Sequence, residues 1–223
     1  YIPLNKKNFF DFYNKKFNPS HILTSGSILK SKLEKFFFNT YNIGSTKKQK
    51  ILNSQKLKKS NFIIFLPSSN KYEIKNLLNL IFKIHDHFPE YNYIWRGHPF
   101  NKNNLSNLFK NYPKIELSYN DLDYDLRRSK LAFYTISSSI INAVCYGVRP
   151  IYVENKFFDI DPLEELSNPW KLTVKNFPNL NNYFNFDNNI KLKRFMEISS
   201  SYYRKYFEEF KINQVYKLLY GKI

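Results

Sequence analysis

The clearest apolar signal in the chain is Phe62-Ile63-Ile64-Phe65-Leu66, an unbroken run without polar alternation. Such a run fits a strand buried on both faces, as in a parallel sheet covered by helices. Pro67-Ser68-Ser69-Asn70 ends it. From Tyr72 to Phe88 the period changes, with Ile74, Leu77, Leu78, Ile81, Phe82 and His85 on one helical stripe until Pro89 stops the pattern. The stretch YNYIWRGHP (91–99) reads as the next strand and delivers Arg96, His98 and Pro99 to its end. Then follow a short helix (Leu105 to Tyr112), a strand (Lys114 to Leu117), and a helix whose acidic-then-basic order suits its dipole (Asp121 to Ser129). A strand from Leu131 to Ile136 opens through Ser137-Ser138-Ser139 into a small apolar helix, Ser139 to Tyr146, ended by Gly147, and Pro150 to Val153 is one more strand.

Strands alternating with helices at these short intervals predict an α/β fold, a Rossmann-like parallel sheet with helices on both faces. In such sheets ligands bind at the carboxyl ends of the strands, where His98, Ser137 to Ser139 and Glu154 all fall. Upstream, His21 to Thr24 and Tyr41 to Ile43 read as short strands around a helix from Ser27 to Phe37 capped by Ser27. One strand-helix-strand unit is too small to stand alone, so residues 1–45 read as the tail of an N-terminal α/β domain that is mostly absent, residues 46–60 as a polar linker, and residues 61–223 as one domain. After Asn155 the chain loosens into an Asn-, Pro- and Phe-rich stretch to Asn189, and Ile190 to Tyr220 recovers as one long or two shorter aromatic-rich helices.

Composition narrows the function classes. No apolar run reaches the ~18 residues that cross a bilayer, and no signal-peptide layout is visible near Tyr1, which places the chain in the cytoplasm. The single cysteine, Cys145, excludes an internal disulfide and a cysteine-based metal cage, and belongs in the core of its apolar helix. His85 and His87, two residues apart on a helix, point to different sides and make no metal pair, so no metal is expected. The formal net charge of +17 raises nucleic-acid binding. However, Lys, Asn, Ile, Phe and Tyr are inflated together while Arg, Gly and Ala are scarce, the signature of an AT-rich genome, and the one dense lysine cluster (47–59) sits in the linker. The charge is better matched to an anionic ligand or an anionic inner membrane touched peripherally than to a specific nucleic acid.

Candidate chemistry gathers at two strand ends. His98, held extended by Pro99, can donate to a phosphate, aided by Arg96 on the same strand. Thr135 and Ser137, Ser138 and Ser139 lie where a strand becomes a helix, so hydroxyls and backbone N–H groups converge. One serine would serve as an N-cap in any case, and three in a row exceed that need. Glu154 directly follows a strand and could accept from ribose hydroxyls, with Asp159 and Asp161 as competitors. Arg127 and Arg128 read as a solvated helix end. No G-x-G-x-x-G, P-loop, G-x-S-x-G or H-E-x-x-H is present.

The blocks WRGHP and, about forty residues later, TISSSIINAVCYGVRPIYVEN resemble the donor-binding half of GT-B glycosyltransferases that use cytidine nucleotides. The nearest groups are the Kdo and sialic-acid transferases of bacterial capsule and surface carbohydrate, with an Arg-x-His-Pro motif, and the CDP-glycerol glycerophosphotransferases. The resemblance spans roughly Tyr41 to Glu165, with Gly44-Ser45 similar to the crossing into the second domain and Gly147 to Pro150 similar to a G-x-P segment before the next strand. It implies that residues 61–223 form a nucleotide-sugar donor-binding domain. It further implies that His98, Ser137, Ser138 and Ser139 contact donor phosphate; Arg96 is the further phosphate candidate, and Pro99, Thr135 and Glu154 are the candidates for nucleoside or ribose. The donor would be CMP- or CDP-linked with no resident cofactor, and the acceptor a saccharide or lipid-linked saccharide. The catalytic base would come from the N-terminal domain. Asn142 precedes Ala143 where many relatives carry a Glu-Ala pair, a departure that removes one acidic contact. The competing readings are a CDP-glycerol-type glycerophosphotransferase and a non-catalytic basic module for RNA or anionic lipid.

Overall fold

The computed structural model describes residues 21–35, 39–46, 61–98, 105–154, 161–166, 171–174, 184 and 189–221. These residues divide into two compact units, one within Leu52–Met196 and one combining the early residues up to Ile51 with Glu197–Ile223.

The larger unit is a six-stranded sheet, every pairing parallel. Its elements in chain order are β3 (Phe62–Leu66), α2 (Lys71–His87), β4 (Asn92–Trp95), α3 (Ser106–Phe109), β5 (Ile115–Leu117), α4 (Leu122–Arg127), β6 (Ser129–Tyr134), α5 (Ser139–Cys145), β7 (Arg149–Val153) and β8 (Leu172–Val174). Across the sheet the order is β5-β4-β3-β6-β7-β8. The chain builds outward from β3 to β5, returns to the other side of β3 for β6, and then builds outward again. The direction of winding therefore reverses between β3 and β6, and the crevice at a parallel sheet's carboxyl edge opens at that reversal.

Residues of the central strands are buried on both faces, as the unbroken apolar run requires: Ile63, Ile64, Phe65, Tyr93, Ile94, Trp95, Ala132 and Phe133 are fully covered. Phe65 stacks on Phe133 at 4.8 Å between ring centroids and lies 6.3 Å from Trp95. Register makes these three rings neighbours on adjacent strands. The row lies just before the carboxyl ends of β4 and β6, and each aromatic contact adds about 0.5–1.5 kcal/mol beyond area burial. Helix α2 covers the sheet with Ile74, Leu77 and Ile81 of the stripe read from its period, and with Ile84, which that stripe did not include. Gly147, at φ 69°, closes α5 in a Schellman pair, its N–H on the Val144 carbonyl and the Val148 N–H on the Ala143 carbonyl.

The second unit holds β1 (Ile22–Thr24) paired in parallel with β2 (Thr40–Asn42), with α1 (Ser27–Leu33) between them in sequence. By backbone contacts the C-terminal segment from Glu197 onward groups with these early residues. It holds α6 (Asn189–Tyr206) from Glu197 onward, and all of α7 (Ile212–Tyr220). The backbone explains the regrouping. Glu208 N–H donates to Ser25 O, Ser45 N–H to Glu208 O and Lys211 N–H to Ile43 O, each at 2.8 Å. Tyr202, Tyr203 and Tyr206 are buried, whereas Ile212, Tyr216, Leu219 and Tyr220 of α7 are exposed.

Ser27 does not cap α1 as its sequence position suggested. The cap comes from far along the chain, where the Glu208 carboxylate accepts the Ser27 N–H at 2.8 Å and pairs with Lys211 at 2.9 Å. Burial pushes this carboxyl up, but hydrogen bonds from Lys211, Ser27 and Asn42 outweigh it and bring it to about 2. A depressed carboxyl stabilises above its ordinary range, and that stability is lost as pH falls through the folded value. Glu208→Gln is therefore expected to lower the stability of this unit at pH 6, with the gap to the wild type closing as pH falls towards about 2. Amide exchange in residues 22–33 as a function of pH checks this, and a gap that does not change with pH would contradict it.

Candidate functional site

The carboxyl ends of β4, β3 and β6 lie side by side. At ~4.8 Å per strand, the chain after β4 and the chain after β6 are separated by about 10 Å, with the chain after β3 between them. The two stretches singled out by sequence, Arg96 to His98 and Ser137 to Ser139, thus flank the winding reversal. Between them sits Pro67 to Asn70, which sequence reading treated only as a strand stop.

His98 is partly buried at the end of β4, beyond Arg96 and Gly97. Ser137 is buried, Ser138 exposed and Ser139 intermediate. Ser138 occupies the N-cap of α5 but makes no side-chain cap bond, so its hydroxyl is not committed to capping. Glu154 is exposed at the end of β7, its N–H on the Val174 carbonyl at 3.2 Å. Pro99 and Asp159 lie outside the described residues.

Two sequence assignments change. Thr135 is 1% exposed and donates its hydroxyl to the Glu73 carboxylate, so that hydroxyl is engaged in the interior. Arg96 is held by an ion pair: its Nη1 donates to Asp125 Oδ2 at 2.8 Å and also to the Asn120 carbonyl. Asp125 is fully buried, and accepts in addition from Ser118 Oγ at 2.6 Å and Arg128 Nη2 at 3.1 Å. Arg96 therefore anchors the loop that carries His98. Arg128, expected as a solvated helix end, is instead bound to Asp125 and Glu116. Asp161 is likewise engaged, accepting from Tyr134 Oη at 2.9 Å and from Lys171.

Sequence reading missed Glu73. It stands in the first turn of α2, where Asn70 Oδ1 caps the helix by accepting from Tyr72 N–H at 2.9 Å and Glu73 N–H at 3.2 Å. Its carboxylate turns to the sheet, accepting from Ser68 N–H at 3.0 Å, from the Ser68 hydroxyl, from Thr135 and from Ile136 N–H at 3.4 Å. Burial pushes Glu73 up to about 7, with the backbone N–H bonds from Ser68, Ile136 and Thr135 opposing the rise. The signal available in sequence is the Asn-x-x-Glu spacing at a helix start, which places a carboxylate beside the chain entering the helix.

An imidazole after β4 and serine hydroxyls after β6 put hydrogen-bond donors at nearby strand ends, chemistry suited to an oxyanion. Among the described residues no cluster of three or more His, Cys, Asp or Glu side chains forms, and no helix is long and apolar enough to cross a membrane.

Comparison with protein-family models and with curated protein sequences yields no match. Solved structures do match. The pneumococcal O-GlcNAc transferase GtfA, in complex with UDP and GlcNAc, superposes with a TM-score of 0.64 over 96% of this chain and 47% of its own, at 13% identity. The wall teichoic acid polymerase TagF gives 0.56 over 97% of this chain and 60% of its own, at 14% identity. The UDP-GlcNAc 2-epimerase of Methanocaldococcus jannaschii, in complex with UDP-GlcNAc and UDP, gives 0.53 over 91% and 61%, at 21% identity. The chain thus has a GT-B-type fold and spans 47% to 61% of the length of these proteins. A transferase, a polymerase and an epimerase share it, so the fold alone does not select a reaction.

Proposed function

We propose that this chain is the donor-binding portion of a glycosyltransferase that uses a nucleotide-activated sugar, cytidine-linked by preference, in bacterial surface-polysaccharide synthesis in the cytoplasm. The observation that supports the reading is that His98 and Ser137 to Ser139 follow strands on either side of the winding reversal of a GT-B-type sheet. As the donor's bond to its leaving phosphate breaks, negative charge grows on the phosphate oxygens, and donors fixed in advance stabilise that charge without rearranging. In this reading His98 and the Ser138 and Ser139 hydroxyls supply those donors, Arg96 holds the His98 loop in place, and Glu154 remains the ribose candidate. Cytidine preference rests on the resemblance of RGHP and SSS to cytidine-dependent transferases. The acceptor in this reading is a saccharide or a lipid-linked saccharide.

The test is calorimetric titration of CMP, CDP, UMP, UDP and GDP into wild type and His98→Ala. We expect cytidine nucleotides to bind, and His98→Ala to weaken them about 10- to 100-fold, the scale of one hydrogen bond to a charged group. Absence of binding by every nucleotide would overturn the donor reading, and preference for a uridine nucleotide would overturn the cytidine assignment. Similarity to TagF, also solved with CDPG, favours one second reading, glycerophosphate transfer from a CDP-linked donor at the same corner. Assay with CDP-glycerol against CMP-sugars separates the two. Affinity that collapses with salt yet survives His98→Ala would instead point to a basic RNA- or lipid-binding module.

A further inference from the structure

Glu73 is 0% exposed, and nothing in the donor reading uses it. Its two oxygens look in different directions. One accepts from the N–H and hydroxyl of Ser68, at the start of the loop after β3, and the other from the Thr135 hydroxyl and Ile136 N–H, at the start of the loop after β6. The partners stand five residues before it and 62 and 63 residues after it, so one side chain joins segments that are remote in sequence and adjacent in the sheet. These are the loops on either side of the winding reversal.

The chemistry of the four donors restricts what can stand there. Two are hydroxyls that can turn, but the Ser68 and Ile136 N–H groups cannot reverse their polarity. An acceptor at both ends is required, and a carboxylate supplies it. A glutamine would set its own NH2 against one of those N–H groups, and an aspartate, shorter by one methylene, would not span both loops. Ser68 is fixed further by accepting the Asn70 N–H at 3.1 Å, so loop, helix cap and carboxylate form one connected set. Burial strengthens each of these bonds and raises the cost of breaking any one.

We propose that Glu73 is a positioning residue that locks the loop after β3 and the loop after β6 into one rigid cradle for the donor phosphate. The identity of the ligand rests on the reading under Proposed function; the locking itself does not. The locked arrangement holds Ser137 to Ser139 at a fixed spacing from Ser68 and Ser69, so that binding need not order them.

The experiment is hydrogen–deuterium exchange on the full chain, with CDP and UDP titrations, for wild type, Glu73→Gln, Glu73→Asp and Thr135→Val. We expect Glu73→Gln to speed exchange in both 66–70 and 135–140 while the middle of α2, 77–84, keeps its protection. We expect Thr135→Val, which leaves the carboxylate in place, to release 135–140 more than 66–70. Nucleotide affinity falls about tenfold or more in Glu73→Gln, on the scale of losing a charge-assisted bond, and adding Thr135→Val costs little extra because the same link is already cut. If Glu73 merely stabilised the start of α2, thermal stability would fall while exchange in 135–140 stayed native, and the proposal would be overturned. Native nucleotide affinity in a Glu73→Gln protein with loosened loops would overturn the positioning role. Absence of nucleotide binding by the wild type would overturn the donor reading instead, with the locking still decided by exchange. Should Glu73→Gln fail to fold, Thr135→Val alone carries the exchange test.

Discussion

Asp125→Ala is expected to destabilise the larger unit by about 3–5 kcal/mol, the cost of breaking a buried ion cluster by removing one side. Asp125 is fully buried and accepts from Arg96, Arg128 and Ser118 together. Without it two guanidinium groups face each other's charge in a site from which water is largely excluded. Both are about a fifth exposed, 23% for Arg96 and 22% for Arg128, so water recovers part of the loss and the lower end of the range applies. Arg96→Ala should cost less, because Asp125 keeps Arg128 and Ser118. The double variant should cost less than the sum, since one interaction is removed twice. Urea denaturation followed by the fluorescence of Trp95, buried one residue before Arg96, measures these effects. A loss under about 1 kcal/mol, the scale of an exposed pair, would show that the cluster behaves as a surface pair. Because Arg96 anchors the chain that leads to His98, Asp125→Ala should also weaken nucleotide binding when assayed well below its melting temperature.

That cluster shows where sequence reading stops. The run FIIFL and the stripe of α2 could be read because each is local: two-sided burial selects apolar residues at every position of β3, and a one-sided helix selects them at 3.6-residue spacing. The strand ends were legible for the same reason, and they brought His98 and Ser137 to Ser139 to one edge. The roles of Arg96 and Thr135 were not legible. What decides them is a partner 29 residues away in one case and 62 in the other, and a guanidinium or hydroxyl carries no local mark of which partner it will find. Glu73 was hidden differently, since an acid in the first turn of a helix already has a sufficient local explanation. The second strand after the serines, β8, is only three residues long, and its pairing with β7 rather than its own pattern makes it a strand. The C-terminal helices were legible as helices, but their unit was not, because backbone bonds to Ser25, Ile43 and Ser45 assign it.

Gly44→Ala is expected to open the second unit at that junction. Gly44 sits at φ 77°, where an alanine costs about 1–2 kcal/mol. A Cβ there would also stand 2.0 Å from the Glu209 carbonyl oxygen and 2.9 Å from the Phe210 Cα, both backbone atoms that cannot swing aside. The chain on either side is bonded to that same segment, Ile43 through the Lys211 N–H and Ser45 through its own N–H to Glu208. Relieving the clash must therefore stretch two backbone bonds, worth about 0.5–1.5 kcal/mol each, and the total reaches about 3 kcal/mol. Gly26→Ala separates the two contributions. Gly26 is extended at φ −176°, so alanine adds no strain there, yet its Cβ would meet the Lys205 carbonyl oxygen at 2.2 Å. Exchange of the Ser45 and Lys211 amides reads the outcome. They should lose protection together in Gly44→Ala, with the larger unit unchanged, and by less in Gly26→Ala. Protection of Ser45 and Lys211 at the wild-type level in Gly44→Ala would mean that the close backbone approach is not what holds the C-terminal segment to the strand-helix-strand unit.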